Sequence, residues 1–444
     1  MTEAWAISLG RSLLLAALSL YPASQLAQKT RTLTGRKKYF FLGMVLFPLS
    51  IPPLLPAYAY SSFELNFQTA PVMNEILYCL VNIFKTVPFT FLIYYLVPDT
   101  LSNSARHCQA LLDKKQLSIH FLKGSTALAY LVSFLIIFNE YEIASMMRIE
   151  QWTINIFNAH AGGLSQSIIH SFQLAILPMT SSFVCIAVGL KILFSLNQSQ
   201  GRHFTAKITN PKVIFIIFTC SLGLLFIYPV SRIILGGIDF LSLFQGQWMT
   251  NELINSLLFT MVATGCAWLL SFWLSRNVNS PLISIALLPG LCGSLILGLG
   301  FIYLFNLPGL SSLKQSAIPL TLALTVYGLP LAVLMQVFKK EELSQSVKMA
   351  ILLPDCNRKP LLWTLRTLPS ILFSMPLFCV IWFDLSLSAL LAPAAMPGIF
   401  PRLYNLMHYS ESEKLSATVI LILFVPLLIF SGIIILSRIL AKRA

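Results

Sequence analysis

Apolar runs of about 20 residues, separated by short polar segments, recur from one end of the chain to the other. They cover roughly 4–26, 40–61, 73–97, 122–143, 165–195, 211–236, 252–275, 280–305, 316–338, 367–391 and 414–437. Each is long enough to cross a bilayer as a helix. Inside hydrocarbon every backbone amide must find its partner within its own segment, which selects helices over lone strands. Nothing in the chain shows the ten-residue alternation of an outer-membrane barrel. The pattern therefore predicts an all-α integral membrane protein with about eleven transmembrane helices and almost no soluble domain.

The polar segments between the runs carry an orientation. One set holds Lys29, Arg31, Arg36, Lys37 and Lys38, then Arg106, Lys114 and Lys115, then Arg202, Lys207 and Lys212. It continues with Arg276, the cluster from Lys339 to Arg366, and Arg438, Lys442 and Arg443. The alternate set holds little beyond Arg148, Lys314, Arg402 and Lys414, a contrast of roughly five to one. Basic loops stay on the cytoplasmic side, so the N-terminus is expected outside and the C-terminus in the cytoplasm.

Composition sharpens this picture. Of 444 residues, 57% are hydrophobic and 10% charged, with a mean hydropathy of +0.78. A soluble domain carries about a quarter charged residues, so this surface meets lipid. The net charge of +14 lies in the loops and reports topology; no basic stripe with interleaved aromatics points to nucleic acid. The eight cysteines form no CxxC pair, and the histidines show no HExxH spacing. No metal site is expected. There is no GxSxG, no paired intramembrane aspartate and no phosphate-cradling glycine loop, so the chain reads as a non-enzyme. The first apolar run is followed by a basic loop, not by a small-residue cleavage site.

The two halves can be laid on each other. Arg11-Ser12-Leu13-Leu14 matches Asn255-Ser256-Leu257-Leu258, Pro48 matches Pro289, Pro52 falls opposite Gly293, and Pro88 matches Pro330. The stretch from Phe138 to Ala144 matches that from Phe383 to Ala389, and Ile156-Phe157-Asn158 resembles Leu403-Tyr404-Asn405. All separations fall between about 241 and 247 residues. An ordered series at one spacing implies duplication: a first five-helix unit over 1–197, a linking loop and helix over 198–245, and a second five-helix unit over 246–444. The odd linking helix makes the two units run parallel in the membrane, an arrangement used by transporters. Pro48, Pro52, Pro88, Pro289, Gly293 and Pro330 then mark helix breaks. These read either as lining a translocation path or as ordinary membrane-helix packing.

On these residues the chain resembles the membrane subunit of a binding-protein-dependent ABC importer, of the fused two-domain iron(III) and thiamine type. The stretch FNEYEIASMM at 138–147 is similar to the end of the family's fourth core helix. FDLSLSALLAP at 383–393, followed by PRLYNLMHY at 401–409, is the corresponding segment. The resemblance covers nearly all of the chain. It implies a bacterial cytoplasmic (inner) membrane protein that forms the path for a small solute such as iron(III) or thiamine. A periplasmic or lipid-anchored solute-binding protein would deliver the solute, and a cytoplasmic ABC ATPase dimer would use ATP; the chain itself would hold no cofactor.

The family's coupling loop, an EAA run with a glycine and a later Leu-Pro, belongs in this chain at 98–121 and 339–366. Ser104, Ala105 and Arg106 stand near the EAA position in the first. In the second, Ala350 stands in place of the family's Glu, Cys356 stands in place of its Gly within Asp355-Cys356-Asn357-Arg358, and Leu368-Pro369 fits the ending. Both copies are degenerate. That departure leaves open a degenerate permease acting as a membrane scaffold or sensor, and a secondary transporter is the other alternative.

Four residues stand out for chemistry. Glu140 and Glu142 close the fourth run, Asp384 closes the tenth, and Lys85 lies deep in the third. Charges there are costly and face a cavity or a partner. The acids read as an outer gate, as a transient cation contact or as hydrated interfacial carboxylates, and Lys85 as the partner of a carboxylate or of an anionic solute. Arg11 and Arg232 sit near span ends, where a long basic chain can snorkel to the interface.

Overall fold

The computed structural model describes residues 2–33, 35–61, 71–96, 125–161, 166–197, 211–235, 247–275, 286–287, 289–352, 368–408 and 412–443. Among these residues the regular elements are helices. Seven are long and apolar enough to cross a membrane: Glu3–Thr32, Pro71–Tyr95, Ser125–Met146, Pro211–Ile234, Met249–Leu274, Ile318–Gln336 and Glu413–Leu436. Two more are bent pairs, Phe40–Ser50 with Leu54–Tyr60 at 64° and Ser374–Trp382 with Leu385–Leu391 at 50°, which brings the count to nine if each pair is one span. Ala175–Gly189 and Ser294–Phe305 are shorter apolar helices in the fifth and eighth runs. The chain is built as a multi-pass membrane protein.

In chain order the first helices are α1 (Thr2–Thr32), α2 (Gly35–Leu46), α3 (Leu54–Ser61), α4 (Pro71–Leu96), α5 (Ser125–Phe138), α6 (Glu142–Met146) and α7 (Trp152–Ala161). They continue with α8 (Gln166–Asn197), α9 (Pro211–Leu222), α10 (Tyr228–Ile234), α11 (Gln247–Leu274), α12 (Ser294–Phe305) and α13 (Ile318–Leu352). The last four are α14 (Leu368–Trp382), α15 (Leu385–Leu391), α16 (Ile399–His408) and α17 (Ser412–Arg443).

The chain divides into two compact units, one of Met1–Arg232 with Asn279–Leu299 and the other of Ile233–Val278 with Gly300–Ala444. In the first unit α1, α4 and α5 pack on one another. Their contact carries a buried polar row on α4, namely Tyr78, Asn82, Thr86 and Thr90, each one turn from the next. Thr90 Oγ1 lies 2.6 Å from Ser133 Oγ on α5 and 3.5 Å from Ser19 Oγ on α1. Lipid supplies no hydrophobic drive between helices, so such hydroxyl contacts and close packing hold them together.

The second unit packs α11, α13 and α14 together. Leu320, Leu324 and Ala332 on α13, Leu377 on α14 and Ala263 on α11 are all buried there. At Gly328 a Cβ would meet Ile381 Cδ1 at 2.6 Å, so a larger residue on α13 would force the Ile381 side chain of α14 to shift.

The helical segment Pro211–Ile234 is irregular. Between α9 and α10 a π-helical turn spans Gly223–Ile227. Such a turn offsets the hydrogen-bond ladder by one residue, and the Tyr60 hydroxyl at the end of α3 donates to Leu224 O at 2.8 Å. Tyr60 stacks on Tyr228, and Phe47 meets Phe226 edge-on at 5.1 Å.

Candidate functional site

The first unit's site forms where α5 stops and α6 begins. The interruption at Asn139–Tyr141 takes carbonyls out of the helical ladder, and in an apolar interior each needs a new donor. Trp152 Nε1 donates to Phe138 O at 2.6 Å, Gln151 Nε2 to the same oxygen at 3.1 Å, and Thr153 Oγ1 to Glu140 O at 2.8 Å. The amides that open α6 are met by Glu140 itself. Its Oε1 accepts from Ile143 N at 2.6 Å and its Oε2 from Ala144 N at 3.0 Å. Charge-assisted caps of this kind are among the stronger hydrogen bonds.

Around that carboxylate stand two more groups of α4. Lys85 Nζ lies 3.9 Å from Glu140 Oε1, and the Tyr78 hydroxyl donates to Oε2 at 3.5 Å. Arg11 of α1 pairs with Glu75 at 2.5 Å, covers the Tyr78 ring at 5.2 Å, and donates to Glu150 O and Gln151 Oε1. Snorkelling does not describe Arg11. Its side chain is 8% exposed because a carboxylate, a ring and two oxygens hold it inside.

Within the same unit a second break meets the first. Gly293 precedes α12 with φ +91°, and a Cβ there would fall 2.7 Å from Asn139 Cβ. Asn139 Nδ2 donates to Leu291 O at 3.4 Å. The left-handed backbone and the contact both require glycine.

The second unit repeats several of these features on other residues. Between α14 and α15, Asp384 Oδ1 accepts from Leu387 N at 2.7 Å, and Ser388 Oγ donates to Asp384 O. The next short helix along the chain is tied back to the unit's first long helix in both cases. Ser8 Oγ of α1 accepts from Trp152 N at 3.1 Å, and Ser256 Oγ of α11 accepts from Ile399 N at 2.8 Å. Arg11 donates to the carbonyl two residues before α7, and Asn255 Nδ2 donates to Pro397 O, two residues before α16. Glu252 on α11 pairs with Arg402 on α16 at 3.2 Å.

Of the residues singled out in the sequence, Glu140 and Lys85 come together, Glu142 is buried in the first turn of α6, and Asp384 caps α15. Pro48 lies in a short 3₁₀ turn, Phe47–Ser50, and Pro52 in the bend after it. Pro289 and Gly293 flank the turn before α12, whereas Pro88 and Pro330 lie inside α4 and α13. Ser104, Ala105, Arg106, Asp355, Cys356 and Arg358 lie outside the described residues, and Ala350 is described only by its place in α13. Glu75, Gln151, Glu252 and Arg402 escape a reading of the sequence, because their partners lie far along the chain. Only an unusual charge inside or beside an apolar run marks Glu75 and Glu252. Among the described residues no group of three His, Cys, Asp or Glu side chains is placed to hold a metal ion.

No family model, curated protein or solved structure matches this chain.

Proposed function

We propose that the chain is the membrane permease subunit of an ATP-driven importer for a small solute, with ATP hydrolysis supplied by partner subunits. In this reading the chain carries eleven spans, as two permease-like units of five joined by the helix at 211–236. The observation that supports it most is the recurrence of one local device. A span is interrupted, a carboxylate caps the turn after the break, and the next short helix is anchored by its first amide to a serine on the unit's first long helix. Glu140 and Asp384 stand 244 positions apart, and Trp152 and Ile399 stand 247 apart. Broken spans are tolerated in lipid only beside protein or a wet cavity. We assign the breaks of the first unit, at Pro52, Asn139 and Gly293, to the translocation path. The site lies in the bacterial cytoplasmic membrane, with its binding protein outside and its ATPases at the basic loops.

A second reading, a secondary transporter, is favoured by one observation. Lys85–Glu140 and Arg11–Glu75 are ion pairs within spans, the kind of group that ion-coupled carriers use. Energisation separates the two. Uptake of labelled thiamine, iron(III) and phosphate is compared in cells that express or lack the protein. ATP is depleted while respiration maintains the proton gradient, and separately the gradient is collapsed while ATP is kept. The importer reading predicts that protein-dependent uptake stops in the first case and persists in the second. Uptake that persists without ATP and stops with the gradient contradicts it and establishes the carrier.

A further inference from the structure

Lys85 stands in the middle of α4, where an ammonium in hydrocarbon is costly without a partner. Its partner is Glu140, but the two are unequally committed. Both Glu140 oxygens are already engaged by backbone amides at 2.6 and 3.0 Å. The lysine contact at 3.9 Å is the longest around the carboxylate. Glu140 is 2% exposed at its side chain and Lys85 24%. The carboxylate is thus held by the chain itself, and the ammonium is the open member of the pair.

The other unit shows that the carboxylate cap does not bring a lysine with it. Asp384 caps α15 as Glu140 caps α6. The position in register with Lys85, three residues before the helix proline, is Tyr327 before Pro330. The polar row beside Lys85 also has no counterpart in register. Tyr78, Asn82, Thr86 and Thr90 face Leu320, Leu324, Gly328 and Ala332 in that alignment, and these are apolar or lack a side chain. At these positions the charge, and the row of hydrogen-bonding side chains beside it, belong to the first unit alone.

We propose that Lys85 is an anion-binding residue, which exchanges Glu140 for a compact tetrahedral oxyanion of the phosphate or sulfate class during the transport cycle. A cation would have to take Glu140, whose oxygens are buried and bonded; an anion has only to take the ammonium. The ammonium offers three donors. Several donors suit an oxyanion better than a halide. On release of the lysine, Glu140 keeps its two amides and the cap of α6 stays formed. The exchange costs little structure, and it fixes the sign of the solute, which no motif in the chain decides. Its physiological meaning rests on the permease reading, but the binding itself does not depend on an ATPase.

The test is equilibrium binding of radiolabelled inorganic phosphate and sulfate to the purified full chain in detergent, at constant ionic strength against chloride. Wild type binds one of them. Lys85→Met weakens binding by at least about tenfold, Lys85→Arg retains it, and Glu140→Gln, which removes the competing charge, tightens it several-fold. Should Lys85→Met fail to fold, the Glu140→Gln result decides: tighter binding supports the exchange and unchanged binding overturns it. Wild-type affinity that survives Lys85→Met, or a folded wild type that binds neither anion, overturns the assignment. ATP-driven uptake of a cation with no anion bound would leave the permease reading standing and remove this one.

Discussion

Gly293 carries two constraints that separate cleanly by mutation. Its φ of +91° disfavours any residue with a Cβ, and that Cβ would lie 2.7 Å from Asn139 Cβ. Gly293→Ala is expected to cost about 2–4 kcal/mol, from backbone strain and overpacking together. Thermal unfolding in detergent measures it. Asn139→Ala keeps the offending atom and should restore nothing, whereas Asn139→Gly should recover the steric share only. Pro52 and Gly293 were legible as breaks because proline and a span-interior glycine act through their own backbone. Arg11 was not legible. A basic residue near a span end reads as a snorkelling chain, and its partner Gln151 lies 140 positions away, so no local spacing connects them.

Among the elements, the interrupted spans carry the account. The interruptions at Asn139–Tyr141 and Phe383–Asp384 end α5 and α14, and in each case a carboxylate opens the next turn. The sequence pointed to these acids as charges in costly places, and the caps give the reason they are tolerated. Hidden in the sequence was the anchoring of the next short helices by single serines. Ser8→Ala and Ser256→Ala each leave a buried amide, Trp152 N or Ile399 N, without its acceptor. Each should cost about 1–3 kcal/mol, and by similar amounts if the two units descend from one. Unfolding of the two single variants measures this; a large loss in one and none in the other would count against a shared device. Apolar runs show where helices pass but not how their ends are tied, because ties are made by side chains from distant segments.

At the scale of the whole molecule, hydropathy alone carries the class. Runs of apolar residues with basic loops between them lead to an all-helical, multi-pass chain, and the seven long helices and two bent pairs agree. The short helix α12 shows why counting spans from hydropathy is insufficient: an apolar run that continues from 280 to 305 is broken at Gly293. Partners are a different matter. The second of the two coupling loops that the resemblance implies carries Ala350 and Cys356 where that family has Glu and Gly, so docking to an ATPase is the step on which the functional account depends. The most direct measurement is recovery of the tagged protein from native membranes in mild detergent, with identification of its partners by mass spectrometry. The account predicts a co-purifying Walker-motif ATPase that is lost when residues 350–359 are replaced by a Gly/Ser linker. A well-folded protein that brings down no ATPase would contradict it and leave the ion-coupled carrier or a membrane scaffold in its place.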